Sequence, residues 1–312
     1  MTDKDIASKE GSWKELIRKG DIVDSTKILE DEVKKTPDNS MAWMYLGTVY
    51  AEDDKDTEAL RALETSVKLD PNNLAARVLL SVSLANELQL ERSMDVLYQW
   101  IKRNPMYSAI ANQYTYNEKQ NDTAPQSMVN PFIDEDNPFL YQLDTIGIEY
   151  KQKTIIDMFT EASRVNLENP DPDVHIILGI LDNVRSDYES AVNHFKLALE
   201  IRPDDYQLWN KLGATLTNGS RPQEALSSYY KALEINPSYV RARANLGIAF
   251  MNMADYPNAA KNLLHAISMR PNVPNHMWDT LTNIFLILHR DDLVTKSRQK
   301  DVSLLQDDLE LF

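Results

Sequence analysis

The chain has 312 residues, more than one compact core usually covers, so two domains or an elongated repeat array are expected. It is 43% hydrophobic and 26% charged, the composition of a folded soluble protein, and eight glycines are few for an all-β design rich in tight turns. A net charge of −15 repels phosphate backbones and anionic lipid, and the absence of cysteine removes disulfides, thiol catalysis and cysteine-based metal sites.

The opening residues, MTDKDIASKEGSW, contain no apolar run of the kind a secretory signal carries. The longest apolar stretches, such as TNIFLIL, are too short to span a bilayer. Neither nucleic acid nor membrane insertion is therefore expected, and basic ligands remain open.

From there the chain repeats itself. Pro37, Pro71 and Pro105 are spaced by 34 residues, and so are Pro203, Pro237 and Pro271. Each follows a short apolar and charged run (VKKTP, VKLDP, LEIRP, LEINP, ISMRP), where proline ends one helix and prepares the next. Block 6–39 keeps only Leu29 and Pro37. Block 40–73 carries Trp43, Leu46, Gly47, Tyr50, Ala59, Leu63 and Pro71. Block 74–107 keeps Leu80, Leu97 and Pro105. The pattern then lapses. NEKQNDTAPQSMVNPFIDEDNP reads as a flexible linker, and KTIIDMFTEASRVNLENP as the second helix of a degenerate repeat, with Phe159 and Ala162 in register. Blocks 172–205, 206–239 and 240–273 restore it, with Gly179, Gly213 and Gly247 at one shared place and Phe195, Tyr229 and Leu263 at another. HMWDTLTNIFLILHR and DDLVTKSRQKDVSLLQ read as two closing helices.

Spacing and residue types resemble the tetratricopeptide pattern, in which small residues let paired helices approach and large ones fill the gaps. The expected fold is all-α: a tetratricopeptide-repeat superhelix of about seven repeats in two triplets, with a degenerate hinge repeat and a C-terminal helical cap. The expected division is an N-terminal triplet at 1–107, linker and hinge at 108–170, a C-terminal triplet at 171–273 and the cap at 274–312.

One row of residues resists a packing explanation. At the thirteenth place of each block stand Glu52, Asn86, Val184, Asn218 and Asn252. In WNKLGATLTNGS, Asn210, Ala214 and Asn218 share one helix face, although asparagine is a poor helix former. First helices line the concave face of such superhelices, and equivalent positions form ladders along it. An amide both donates and accepts, so an asparagine ladder can hold an extended peptide without reading its side chains. Ala214 leaves room for that ligand. Arg241, Asn245 and Asn252 lie close to one face of the next block, and Arg241 with Lys211 supplies cations suited to a peptide's C-terminal carboxylate. The competing reading is that the asparagines are helix caps, Asn218–Gly219 being a usual C-cap pair, and that Lys211 and Arg241 are solvated surface charges.

At these residues the sequence is similar to a known family. LWNKLGATLTNGSRPQEALSSYYKALEINPSYVRARANLGIAFMNM, and less closely AWMYLGTVYAEDDKDTEALRALETSVKLDPNN, resemble the peroxin 5 family of peroxisomal receptors for type 1 targeting signals. The resemblance runs from about Trp13 to the end. It implies a receptor for C-terminal tripeptides of the Ser-Lys-Leu type on peroxisomal matrix proteins, cytoplasmic and cycling to the peroxisome, with no cofactor. The family's peptide-holding residues fall on Asn86, Asn210, Lys211, Asn218, Arg241, Asn245 and Asn252. Ala214 and Tyr188 would border the pocket, and Glu52 with Asp53 and Asp54, or Glu87, would face the basic middle residue of the signal. Ala85, Pro222 and Ala244 depart from Thr, Ser and Tyr in well-known members. None of Trp13, Trp43, Trp100, Trp209 and Trp278 has Phe or Tyr four residues on, so the family's W-x-x-x-F/Y motifs are lacking. The chain is thus expected to be the C-terminal half of a longer protein or a short paralogue. Peroxisomal docking proteins are partners only if a further N-terminal region exists.

No catalytic constellation is present. His175, His194, His265, His276 and His289 are scattered, and His194 and His265 read as packing or surface residues. No phosphate-binding glycine loop or metal-ligand spacing occurs, so neither an enzyme nor a metal site is expected. The remaining alternatives are a tetratricopeptide co-chaperone gripping acidic C-terminal tails, and an adaptor using the same groove on another protein's tail.

Overall fold

The structure is a computed structural model that describes residues 13, 15, 17, 22–116, 138–269 and 275–305. The linker expected from 117 onward lies almost wholly outside them. The described residues are all-α, and their helices follow one another as stacked antiparallel pairs: α1 (Ile22–Lys35), α2 (Ser40–Glu52) with α3 (Asp56–Leu69), and α4 (Leu74–Asn86) with α5 (Leu90–Arg103). A single turn, α6 (Ser108–Ala111), and the long α7 (Pro138–Ala162) follow. Then come α8 (Pro172–Val184) with α9 (Tyr188–Ile201), α10 (Tyr206–Asn218) with α11 (Pro222–Ile235), and α12 (Val240–Asn252) with α13 (Tyr256–Ser268). The closing pair is α14 (Asn275–Ile287) and α15 (Asp291–Ser297).

The repeat is written into each local choice. Asn39, Asn73, Asp171 and Asp205 precede α2, α4, α8 and α10, and their side-chain oxygens accept from backbone N–H groups of the first turn. The indole N–H of Trp43 donates to the carbonyl of Pro37 (2.9 Å), and that of Trp209 to the carbonyl of Pro203 (2.8 Å). Arg77 does the same at Pro71. A shared device thus ties α2, α4 and α10 to the turn before each of them. Turns inside the pairs also recur: Asp54, Leu88, Ser186, Ser220 and Ala254 all have φ between 52° and 62°. Gly219, expected from the sequence to cap α10 in the usual left-handed form, has φ −77°, and Ser220 turns the chain instead.

Two expectations are revised in detail. Among the described residues, the first helix of the degenerate repeat is represented by the one turn of α6. Its second helix begins at Pro138, well before Lys153, because no proline interrupts the chain between Pro138 and Ala162. The last segment, read as one helix, breaks after Ser297 into a turn with Lys300 at φ 54°, followed by a short 3-10 turn. The core divides inside α4. Leu80 and Leu84 pack with Leu29, Leu46 and Leu63. Val78 joins the larger core, in which Trp100 lies against Tyr107 and Phe159 at ring-centroid distances of 5.9 and 5.5 Å.

In four of the pairs the close contact is a glycine of the first helix against a large residue of the second, and in α4–α5 Ser81 takes the glycine's place. A Cβ on Gly213 would sit 2.6 Å from the Tyr229 ring, and one on Gly179 would sit 2.6 Å from Phe195. Tyr229 is fully buried and its hydroxyl lies 3.1 Å from Thr217 Oγ1, so the ring has no room to withdraw. Alanine gains about 1 kcal/mol over glycine in helix propensity, but overpacking a rigid aromatic costs about 1–3 kcal/mol. Gly213→Ala is expected to lower stability by about 1 kcal/mol or more in a urea titration, whereas a gain would show that the Tyr229 ring can yield.

Candidate functional site

The first helices turn one face toward a cavity of about 250 Å³ lying between the N-terminal pairs and the C-terminal ones. Its wall follows the repeat. Ala75, Asp173, Gln207 and Arg241 are all second in their blocks and all line it, as do Asn210, Lys211, Asn86 and Glu52 further along the same helices. Val78, Leu79, Val82 and Ile176 form an apolar side.

The polar side is interlocked. Asn210 is 6% exposed, and its Oδ1 accepts from Asn245 Nδ2 at 3.0 Å, joining α10 to α12. Burial, and then the neighbouring Arg241, push the Lys211 ammonium down to about 8. Arg202, also in the lining, pairs with Asp173 at 2.7 Å. Glu52, 5% exposed at the end of α2, accepts from the Tyr206 hydroxyl at 2.7 Å and from the Gln207 amide. Burial and the Glu52 carboxylate hold the Tyr206 phenol far above its usual pKa, so it stays a donor. Arg241 Nη2 donates to the Ala51 carbonyl at 2.6 Å and to Asp54. Two chain segments more than 150 residues apart are thereby joined across the mouth of the cavity.

Of the residues singled out in the sequence, Glu52, Asn86, Asn210, Lys211 and Arg241 line this cavity, and Asn245 is bonded to it through Asn210. Asn218 and Asn252 are exposed last residues of α10 and α12, outside the cavity lining. The cap residues proper are Gly219 and Met253, so capping does not account for either asparagine. Ala214 is half-buried on the same face as Asn210. Tyr188 opens α9 and packs on Gly219, 3.0 Å from where its Cβ would be, beside a separate depression. Sequence reading missed Gln207, Tyr206 and Asp173. The second place in each block, 34 residues from Arg241 and again from Gln207, was the available signal. His175 and His194 do meet, Nδ1 to Nδ1 at 3.1 Å, but between α8 and α9 and not in the cavity wall. Among the described residues no group of three or more His, Asp or Glu is placed to hold a metal ion, and no helix is long and apolar enough to cross a membrane.

Comparison with known proteins bears on what this cavity receives. A family model described as Tetratricopeptide repeat matches residues 14–73 and 184–240. The Peroxisomal targeting signal 1 receptor of Dictyostelium discoideum is 43% identical over 297 residues, which cover 95% of this chain and 43% of that protein. The Peroxisomal targeting signal receptor of Kluyveromyces lactis is 32% identical over 277 residues, covering 86% of this chain and 44% of that protein. The PEX5-related protein of Rattus norvegicus is 31% identical over 208 residues, covering 67% of this chain and 32% of that protein. The chain therefore spans less than half the length of these relatives. With identity of this order running through nearly its whole length, and on a tetratricopeptide fold, the chain belongs to the peroxin 5 family of peroxisomal targeting signal receptors.

Proposed function

We propose that the chain binds the C-terminal Ser-Lys-Leu-type signal of peroxisomal matrix proteins in the cavity between its two sets of repeats, as the cargo-holding part of a receptor that moves between cytoplasm and peroxisome. The observation that carries the reading is the meeting of Lys211 and Arg241 with the Asn210–Asn245 pair on one wall of a cavity whose other wall is apolar. The cations suit the terminal carboxylate. The amides of Asn86, Asn210, Asn245, Asn218 and Asn252 suit the peptide backbone, which offers donors and acceptors alternately. Val78, Leu79 and Val82 suit the terminal leucine, and Ala214 leaves space beside the backbone. Glu52 and its acidic neighbours suit the penultimate lysine, and Tyr188 borders the upstream end. Nothing in this arrangement asks for a cofactor or a bond-breaking group. In this reading the units 1–107 and 171–273 act as two jaws on the hinge at 108–170, with the helices from 274 closing the second.

A second reading is an adaptor for another protein's C-terminal tail. Both readings use the same groove, and the ligand separates them. A co-chaperone role fits less well, because the basic and asparagine residues are divided between α4 and α10–α12 instead of filling one contiguous triplet.

Fluorescence anisotropy with a labelled peptide ending in Tyr-Gln-Ser-Lys-Leu is expected to give a dissociation constant of about micromolar or tighter, abolished by amidation of its C-terminus. Asn218→Ala and Asn252→Ala are each expected to weaken binding by about 1–3 kcal/mol through unpaired peptide groups. Unchanged binding in either variant would remove that residue from the ladder, and equal binding of the amidated peptide would remove the reading itself. Affinity is also expected to depend on pH. A carboxylate favours charged Lys211, so binding takes up a proton wherever the free lysine is neutral. Affinity then falls as pH rises through about 8, by up to about tenfold per pH unit. Lys211→Arg should flatten this profile, and a flat wild-type profile would show that Lys211 does not face the carboxylate.

A further inference from the structure

We propose that Lys211 is a site of covalent acylation, taking short apolar acyl groups from thioesters within the cavity, and that the acylated residue excludes a ligand held by its carboxylate. The first half stands on the cavity alone, and the second rests on the peptide-binding reading above.

Lys211 is an isolated cation in an acidic protein. It lines the cavity and is half-buried, yet among the described residues its ammonium has no hydrogen-bond or ion-pair partner. The reason lies in its neighbours. Each carboxylate of the lining is committed elsewhere: Glu52 to Tyr206 and Gln207, Asp173 to Arg202, and Asp205 to the backbone N–H of Leu208 in the first turn of α10. Asp54, at the mouth, is held by Arg241. Lys151 on α7 is the contrast. Its side chain is 13% exposed, and Glu91 and Asp95 of α5 meet it at 2.9 and 3.4 Å.

A lysine withdrawn from water without a carboxylate beside it gives up its proton readily. Burial is the larger cause at Lys211 and the Arg241 charge the second, and together they bring the amine down to about 8. An ordinary lysine stays near about 10.4, so the neutral fraction at neutral pH is larger here by about two orders of magnitude.

A neutral amine lodged in a pocket next to another cation is a nucleophile. Its nitrogen attacks the acyl carbon of a thioester. A C–N bond forms, the C–S bond breaks, and the electron pair leaves on sulfur. The proton lost by nitrogen goes to the departing thiolate, so the products are an amide and a thiol, and no oxidant or further reactant is consumed. A less basic amine is also a weaker nucleophile, which gives back part of the gain, as it does for thiols. The cavity adds what an exposed lysine lacks. Val78, Leu79, Val82 and Ile176 in the same lining offer an apolar seat for the acyl chain. Acylation removes the Lys211 charge and fills that seat, the two features that a ligand's carboxylate and terminal side chain would use.

The test uses the free, unmodified protein and the butyryl thioester of N-acetylcysteamine, an uncharged donor. Butyrylation at each lysine is followed in time by mass spectrometry of proteolytic peptides, over a range of pH. At neutral pH Lys211 is expected to react about tenfold faster than the exposed Lys27, Lys153 and Lys196. Its rate is expected to level off above about 8, where the rate of an ordinary lysine is still climbing. A Lys211 rate no higher than those of the three exposed lysines, or one that climbs with pH as theirs do, overturns the acylation site. In the second arm a saturating peptide ending in Ser-Lys-Leu is expected to suppress butyrylation at Lys211 alone, and its amidated form to leave it unchanged. Fast butyrylation that the bound peptide does not slow overturns the mutual exclusion. Anisotropy that failed to distinguish free from amidated peptide would instead sink the peptide-binding reading, and the comparison of rates would still decide the acylation.

Discussion

The molecule depends on one contact made repeatedly: a helix glycine pressed against the side chain of the helix paired with it. Gly47 meets Leu63, Gly179 meets Phe195, Gly213 meets Tyr229 and Gly247 meets Leu263. Close approach at that point fixes how each pair crosses, and the crossing fixes which face of the first helix remains uncovered. Stacking pairs of one shape then aligns those faces into a single wall. The cavity residues at the second place of successive blocks, Asp173, Gln207 and Arg241, share that wall for this reason and not through any local bonding.

Where the repeat fails, the molecule gains something a regular array lacks. Among the described residues the single turn α6 is all that stands between α5 and α7, and α8 comes into direct contact with α4. A uniform superhelix would carry successive pairs steadily away from one another. The interruption instead lets the end of α2 reach the beginnings of α10 and α12, where Glu52 receives Tyr206 and Gln207.

Much of this was legible in the sequence, since the signals were local. Proline spacing marked the helix ends, and the small residues at fixed places marked the close contacts. The wall residues Asn86, Asn210, Lys211 and Arg241 were legible because register alone assigns a face. The pairing of Arg241 with Asp54 was not, because nothing local relates positions 187 apart in the chain. Nor was the start of α7 at Pro138, since the sequence before it carries linker composition and its repeat pattern is in register only from Phe159 on. Ser220 rather than Gly219 took the left-handed turn because the register of the pair, common to all five turns, outweighs the preference of one residue.

The division of the core inside α4 bears on cooperativity. Glu52 and Asp54 stand on the smaller apolar cluster, which holds Leu29, Leu46, Leu63, Leu80 and Leu84, whereas Asn210, Lys211 and Arg241 stand on the larger one. Local opening follows the distribution of buried apolar contacts, so the first pairs form a separable unit of lower stability. One lip of the cavity is thus carried by the smaller apolar cluster and the other by the larger. Occupancy of the cavity would couple the two units, turning a chain that opens in steps into one that opens as a whole.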